Sequence, residues 1–176
     1  MNPADLDRLR AAIRDVPDFP KPGIVFKDIT PILSDGALFR IAIDAFTEAA
    51  RAAGVEKVVG IDARGFLFGA VVAYQLGVGF VPVRKVGKLP FRCESAAYKL
   101  EYGEAIVEMH TDAIRPGERV VLIDDLLATG GTAAAATSLI RKMGGDLALA
   151  LFLIELRFLS GRAHLPGLAV RSFLEF

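Results

Sequence analysis

The sequence predicts an α/β fold, a parallel twisted sheet flanked by helices. Four short runs, "KVVGI", "GFVPV", "RVVLID" and "LALALFLI", are almost continuously apolar, as strands are when both faces of their sheet are covered. Between them lie segments of helical spacing, "GFLFGAVVAYQL" and "GTAAAATSLIRKM", so that strands and helices alternate. The third observation concerns chemistry: "DARGF", "RK" and "DDLLATGGT" each follow a strand, and the carboxyl ends of strands are where such sheets bind ligands.

Asn2 as a cap, Pro3 at the first helical position, and Leu6, Leu9 and Ile13 on one face predict a short N-terminal helix. Three prolines in "DVPDFPKPG" argue against regular structure there, so "VPDFPKPGIVFKDIT" is expected as an extended arm leading to a short strand around Val25. Ser34 is expected to cap a helix carrying Leu38, Ile41, Ala45 and Ala49, closed by Gly54. The alternation then begins with the strand ending at Ile61, a helix closed by Gly77, and the strand ending at Val83. Arg84 to His110 interrupts it with a basic, turn-rich stretch, "RKVGKLPFRCESAA", followed by "YKLEYGEAIVEMH", which alternates like a hairpin. An insertion of this length is usually functional or disordered. The strand ending at Ile123, the alanine-rich helix and the strand "LALALFLI" complete the series.

Composition limits the function classes. A chain of 176 residues, 53% hydrophobic, can build one full core and is short for two domains. Positive and negative residues balance at 21 each, which argues against nucleic acid or a membrane as partner and leaves any bound anion to be held by local geometry. No apolar run approaches roughly 18 residues, and "MNPADLDRLRAAI" is too charged for a secretory leader, so a soluble cytoplasmic protein is expected. With Cys93 alone, and only His110 and His164 besides, there is no zinc-ligand spacing. A metal is expected to arrive with the substrate.

The densest chemistry is in "ERVVLIDDLLATGGTAAAA". Two carboxylates, Asp124 and Asp125, end a strand, and Thr129-Gly130-Gly131-Thr132 opens a helix, whose unpaired N–H groups attract an anion. Acids alone would read as solvated turn formers. A phosphorylated sugar suits both features, with its phosphate on the glycine turn and its hydroxyls donating to the acids. No Gly-Lys-Ser/Thr follows, and the GxGxxG spacing of a dinucleotide site is missing. In "DARG", Arg64 reads either as a surface arginine or, beside Gly65, as a guanidinium and backbone N–H groups turned to an oxyanion. Arg84, Lys85 and Lys88 read either as a solvated basic face or as a segment that closes over a polyanion. Val25 and Phe26 suit core packing as well as an aromatic ligand.

The motif "VVLIDDLLATGGT" resembles the signature of the type I phosphoribosyltransferases, which bind 5-phosphoribosyl 1-pyrophosphate. The resemblance extends through "DFPKPGIVFKDITPIL", "GIDARGFLFGA", "VRKVGKLP" and "YKLEYGEAIVEMHTDAI", covers most of the chain, and points to the adenine phosphoribosyltransferases within that family. It implies the type I fold as a single domain, with an N-terminal arm or hood over residues 1–33 and a flexible lid loop and hairpin over 84–110. It implies that Asp124 and Asp125 hold the ribose hydroxyls, while Ala128, Thr129, Gly130, Gly131 and Thr132 hold the 5′-phosphate. Ala63, Arg64, Gly65, Arg84, Lys85 and Lys88 are implied on the diphosphate, with Arg64 also catalytic and a strained peptide at its turn, of which a cis bond is one form. Val25 and Lys27 are implied as main-chain readers of adenine, Phe26 as its stacking wall and Leu126 as the packing opposite. Glu101 carries over as the acid/base group near the purine and Tyr102 as a lid residue, while Glu104 and Glu108 are expected to be solvated. Mg²⁺ carried by the donor and a homodimer are further implications.

Two positions depart from the family pattern. Ala63 stands where some relatives have a hydroxyl residue, and Phe91 where a polar or basic residue is expected. The resemblance implies AMP and diphosphate as products, in purine salvage. The alternatives are a phosphoribosyltransferase for xanthine or another purine, and a non-catalytic purine-sensing regulator. The regulator would need an added DNA-binding module, for which the short N-terminal helix and neutral charge leave no room.

Overall fold

Asn2 begins the first helix as its composition demands. In the computed structural model, which describes residues 1–99 and 104–176, its side-chain oxygen accepts from the Asp5 N–H at 2.8 Å, and Pro3 opens helix α1, Pro3–Ala12. The chain groups into two compact units, Met1–Ala45 and Phe46–Phe176.

In the first unit α1 packs against α2, Thr30–Ser34, and buries Leu9. Between them strands β1, Arg14–Pro17, and β2, Val25–Asp28, pair antiparallel from Arg14↔Asp28 to Pro17↔Val25. The proline-rich arm is therefore partly regular, contrary to expectation. Pro17 is the last residue of its strand, where a missing N–H interrupts no ladder, and Pro20 and Pro22 fall in the connection. That connection is closed by the Asp18 carboxylate, which accepts from the Gly23 N–H at 2.7 Å.

Helix α3, Gly36–Ala52, starts in the first unit and ends in the second. Its cap is Asp35, not Ser34. One Asp35 oxygen accepts from Ala37 N–H at 2.8 Å and Leu38 N–H at 3.1 Å, while Ser34 ends α2 and donates to the Pro31 carbonyl. Gly54 follows α3 with φ +64°, as the helix stop requires.

Among the described residues, the second unit is built on a seven-stranded sheet in the order β5-β6-β4-β3-β7-β8-β9. Strands β3 (Lys57–Ile61), β4 (Gly79–Lys85), β7 (Arg119–Leu127), β8 (Asp146–Glu155) and β9 (Val170–Glu175) run parallel. At one edge β6 (Glu104–His110) pairs antiparallel with β4, and β5 (Cys93–Lys99) antiparallel with β6. Side chains alternate across a strand, so each apolar run serves both faces. Val59, Val81, Leu122 and Phe152 share one core with Ala133, Ala136, Leu139 and Ile140 of helix α5, Gly131–Lys142. Helix α4, Arg64–Leu76, buries Phe68 and Val72; Phe68 meets the Phe46 ring at 5.3 Å, which in turn meets Phe173 at 5.1 Å.

Three departures from expectation bear on the site. β7 continues past both acids to Leu127. β5 begins at Cys93, inside the stretch expected to be turns. β9 closes an edge that the apolar pattern does not announce, and is preceded by two short 3₁₀ turns, Arg157–Leu159 and Gly161–His164.

Candidate active site

The acid pair sits on β7 just past the end of its pairing with β3, where the strand continues beside β8. Asp125 is buried and Asp124 half-buried, and the Asp125 N–H donates to Asp124 Oδ1 at 2.9 Å. Burial, and then the charge of Asp125 beside it, push the Asp124 carboxyl well above the usual aspartate value. Asp125 Oδ2 accepts from Nε of Arg64, the first residue of α4, so acid and guanidinium meet across the β3–α4 and β7–α5 turns. Their approach depends on Gly65. A Cβ there would lie 2.8 Å from Asp124 Oδ1 and 2.8 Å from the Ile123 carbonyl oxygen, so any side chain would push α4 off the end of β7.

After the acids, Gly130 turns the chain with φ +84° and α5 begins at Gly131. A Cβ on Gly130 would fall 2.3 Å from the Gly161 carbonyl oxygen, and one on Gly161 2.3 Å from the Ala128 carbonyl oxygen. The glycine turn is thus packed backbone to backbone against the start of the second 3₁₀ turn.

The helix starts differ in a telling way. α1 and α3 are capped by Asn2 and Asp35 side chains, whereas α4 and α5, the two helices that begin beside the acids, have no side-chain cap, nor has the short α2. Ala63, at the cap position of α4, has no oxygen to offer. Uncapped helix starts present N–H groups to an anion.

A cavity of about 280 Å³ joins these parts, lined by Asp62, Ala63, Arg64, Lys85, Asp124, Asp125, Leu126, Ala128 and Thr132 with Ile61, Val83 and Val107. A smaller one of about 80 Å³ continues along Thr129, Gly130 and Gly131. One rim therefore gathers the ends of three neighbouring strands, as the parallel order requires. The peptide between Asp62 and Ala63 is cis, the form foreseen for this turn.

The sequence profile of the phosphoribosyl transferase domain matches residues 32–155. The chain is 56% identical over 175 residues to the adenine phosphoribosyltransferase of Acidothermus cellulolyticus, spanning 99% of each protein. The chain belongs to the adenine phosphoribosyltransferase family. Solved structures of the family superpose closely. The Rhodothermus marinus adenine phosphoribosyltransferase does so with a TM-score of 0.95 at 50% identity, covering 99% of this chain and 100% of that one. The Saccharomyces cerevisiae enzyme, in complex with an imino-altritol bisphosphate and adenine, gives 0.93 at 42% identity, covering 97% and 99%. These matches carry the parallel, helix-flanked sheet of the adenine phosphoribosyltransferases over to this chain.

Not every expected site residue lies on the cavity. Arg84 turns instead to Asp62, whose Oδ2 accepts from Arg84 Nε at 2.9 Å, and Lys88 is exposed on the turn beyond β4. Gly65 acts by its close packing. In the first unit, Val25, Phe26 and Lys27 form β2, one edge of which is paired with β1, so the arm's backbone is not wholly open as expected. The Phe26 ring meets Phe19 at 5.2 Å, edge-on, and Lys27 pairs with Asp15 at 2.6 Å. Phe91 is exposed and edge-on to His110 at 6.1 Å. Glu101 and Tyr102 lie outside the described residues.

Sequence reasoning missed Asp62, Gly161 and Glu108. Asp62 is the first residue of the noted "DARG" at a strand end, but sequence reasoning assigns it no role there. Gly161 carried no signal. Glu108, expected in solvent, is buried at 5% exposure, and its carboxylate accepts from the Lys88 and Leu89 N–H groups.

Proposed function

We propose that the chain transfers the 5-phosphoribosyl group of 5-phospho-α-D-ribose 1-diphosphate to adenine, giving AMP and diphosphate in purine salvage. The observation that carries this reading is the acid pair set between two uncapped helix starts: a ligand with an anion at each end and hydroxyls between them satisfies all three.

Asp124 and Asp125 accept from the ribose hydroxyls, and Ala128 to Thr132 hold the 5′-phosphate at the start of α5. Ala63, Arg64 and Gly65, with Lys85 and the basic residues Arg84 and Lys88, take the diphosphate. Val25 and Lys27 read adenine through main-chain groups, a donor amine beside an acceptor nitrogen, with Phe26 and Leu126 as apolar walls. The bond from the anomeric carbon to diphosphate breaks with its electron pair leaving on oxygen, and adenine N9 supplies the pair for the new bond. Positive charge gathers on the ribose and negative charge on diphosphate, where Arg64 helps stabilise it. Glu101 handles the purine proton and Tyr102 belongs to the lid, so catalysis rests on orientation and exclusion of water, with no side-chain nucleophile.

Mg²⁺ enters as part of the donor. Its ligands are the donor's phosphate oxygens and water, with no side chain of the chain assigned to it. A homodimer is supported by an apolar stripe on α4, where Leu67, Ala70 and Tyr74 are exposed on one face, Tyr74 to 86%. The substrates suit a cytoplasmic enzyme, and among the described residues no helix is long and apolar enough to cross a membrane.

The test is to supply the donor and Mg²⁺ with adenine, hypoxanthine, guanine or xanthine in turn and measure nucleotide formed. AMP from adenine, with little from the others, is expected. A preference for xanthine would move the chain to another purine, and no nucleotide from any base would remove the enzymatic reading.

A further inference from the structure

We infer that Glu108 is a positioning residue for the diphosphate half of the site, an assignment that rests on the function proposed above. It lies on β6, next to Val107, which lines the cavity. Its carboxylate is buried and one oxygen, Oε1, accepts from two successive main-chain N–H groups, Lys88 at 3.1 Å and Leu89 at 3.0 Å. The Lys88 carbonyl accepts in turn from Arg84 Nη1 at 3.2 Å, and Arg84 Nε donates to Asp62 at 2.9 Å.

The Lys88–Leu89 peptide is therefore gripped at both ends, its N–H by Glu108 and its carbonyl by Arg84. This follows from register. Arg84 and Glu108 are direct cross-strand partners, so both side chains emerge on the same face of the β4–β6 pair, and the turn after Lys85 folds over them. Gly87, at φ +79°, makes that turn, which the Val86 N–H closes on the Ile106 carbonyl at 3.1 Å. A continuous set of bonds thus runs from β6 through the basic turn to Asp62, the residue before the Ala63–Arg64 turn.

A buried carboxylate is costly unless hydrogen bonded, and the same protein–protein bonds that satisfy it fix whatever donates them. What Glu108 fixes is the turn that follows Lys85, a cavity-lining cation, and carries Lys88. It touches no substrate in this assignment. It holds the cations in place, and loss of that order weakens binding of the group they face.

Calorimetric titration of the whole protein with Mg²⁺-diphosphate and, separately, with ribose 5-phosphate distinguishes this role from a general brace. Ribose 5-phosphate uses the acid pair and the glycine turn alone. Glu108→Ala is expected to weaken diphosphate about tenfold, the scale of one lost charge-assisted hydrogen bond, and to leave ribose 5-phosphate within about twofold. Glu108→Gln retains an acceptor oxygen and is expected to restore most of the diphosphate affinity. Should the alanine variant fail to fold, Glu108→Asp stands in: it keeps the charge but falls one methylene short of the two N–H groups, and the same selective loss is expected. Equal weakening of both ligands, unchanged diphosphate affinity, or a glutamine variant as weak as alanine would each overturn the assignment. Failure of the unaltered protein to bind diphosphate would instead remove the proposed function, and this inference with it.

Discussion

Gly161→Ala tests whether the glycine turn before α5, proposed above to hold the 5′-phosphate, is placed by packing from outside. The Cβ of alanine would lie 2.3 Å from the Ala128 carbonyl oxygen and 3.1 Å from Leu127 Cδ1. Ordinary carbon–oxygen contacts fall at about 3.3 Å or more, so the turn must retreat by about 1 Å. Gly161 does not have the left-handed backbone that would strain alanine in its own right, so the effect is steric. Overpacking of this kind costs about 1–3 kcal/mol of stability, and a displacement of about 1 Å at a positioning element can reduce turnover about 10²-fold. We expect kcat/KM for the donor to fall by roughly that factor, in a protein whose Tm drops by a few degrees. The control is Gly36→Ala, where a Cβ meets nothing within 4 Å, and near-normal kinetics are expected. Gly161→Ala with kcat/KM within about twofold of the unaltered enzyme would show that the turn holds its geometry without this contact, and the packing argument would fall.

Other perturbations separate the remaining parts. Asp124→Asn with Asp125→Asn should raise the Kd for the donor roughly 10²-fold, from two charged acceptors at about 1.5 kcal/mol each, while diphosphate alone binds no worse; calorimetry giving an unchanged donor Kd would remove the sugar-hydroxyl reading. Because burial raises the Asp124 pKa in the folded protein, the folded state holds the extra proton, and stability falls as pH climbs from the ordinary value near 3.8 to the raised one. Thermal unfolding should therefore find Asp124→Asn more stable than the unaltered protein above that window, with the difference fading below it; the opposite trend would mean that Asp124 is stabilised as an anion. Glu101→Gln should lower kcat about 10²-fold to 10⁴-fold with KM for adenine little changed, and Glu104→Gln should do almost nothing. Equal losses in the two steady-state assays would point to hairpin damage.

What could be read from the sequence divides along physical lines. β3, β7 and β8 are buried on both faces, so their composition alone marks them. β9 is an edge strand in which Arg171 and Glu175 are exposed and only Leu174 is fully buried, so "VRSFLE" has no apolar run to betray it. β1 was hidden by its own proline, which is harmless at a strand end. The acid pair and the glycine turn were legible because a single strand–turn–helix carries them. The Arg64–Asp125 contact joins residues 61 apart and depends on strand order. Glu108 shows the limit most clearly. Between Val107 and Met109, both buried in the core, it alternates outward, and solvent is the natural expectation. It does face away from that core, but the turn after β4 folds over it, and a covering turn leaves no period in the sequence.

The acid pair also answers the objection that carboxylates should repel a phosphorylated ligand. Asp125 is matched by Arg64, so the rim opposes an incoming anion with less than the full charge of two carboxylates. The uncapped starts of α4 and α5 add partial positive charge on either side of the pair. Repulsion falls off with distance, whereas hydrogen bonds from ribose hydroxyls act at contact. An acid is then favourable only where a hydroxyl can reach it while the anions stay at the helix ends. In the proposed reading, spacing therefore selects the ligand: diphosphate or a simple phosphate would use one helix start and gain nothing from the acids, while a sugar bearing an anion at each end would use both starts and the acids.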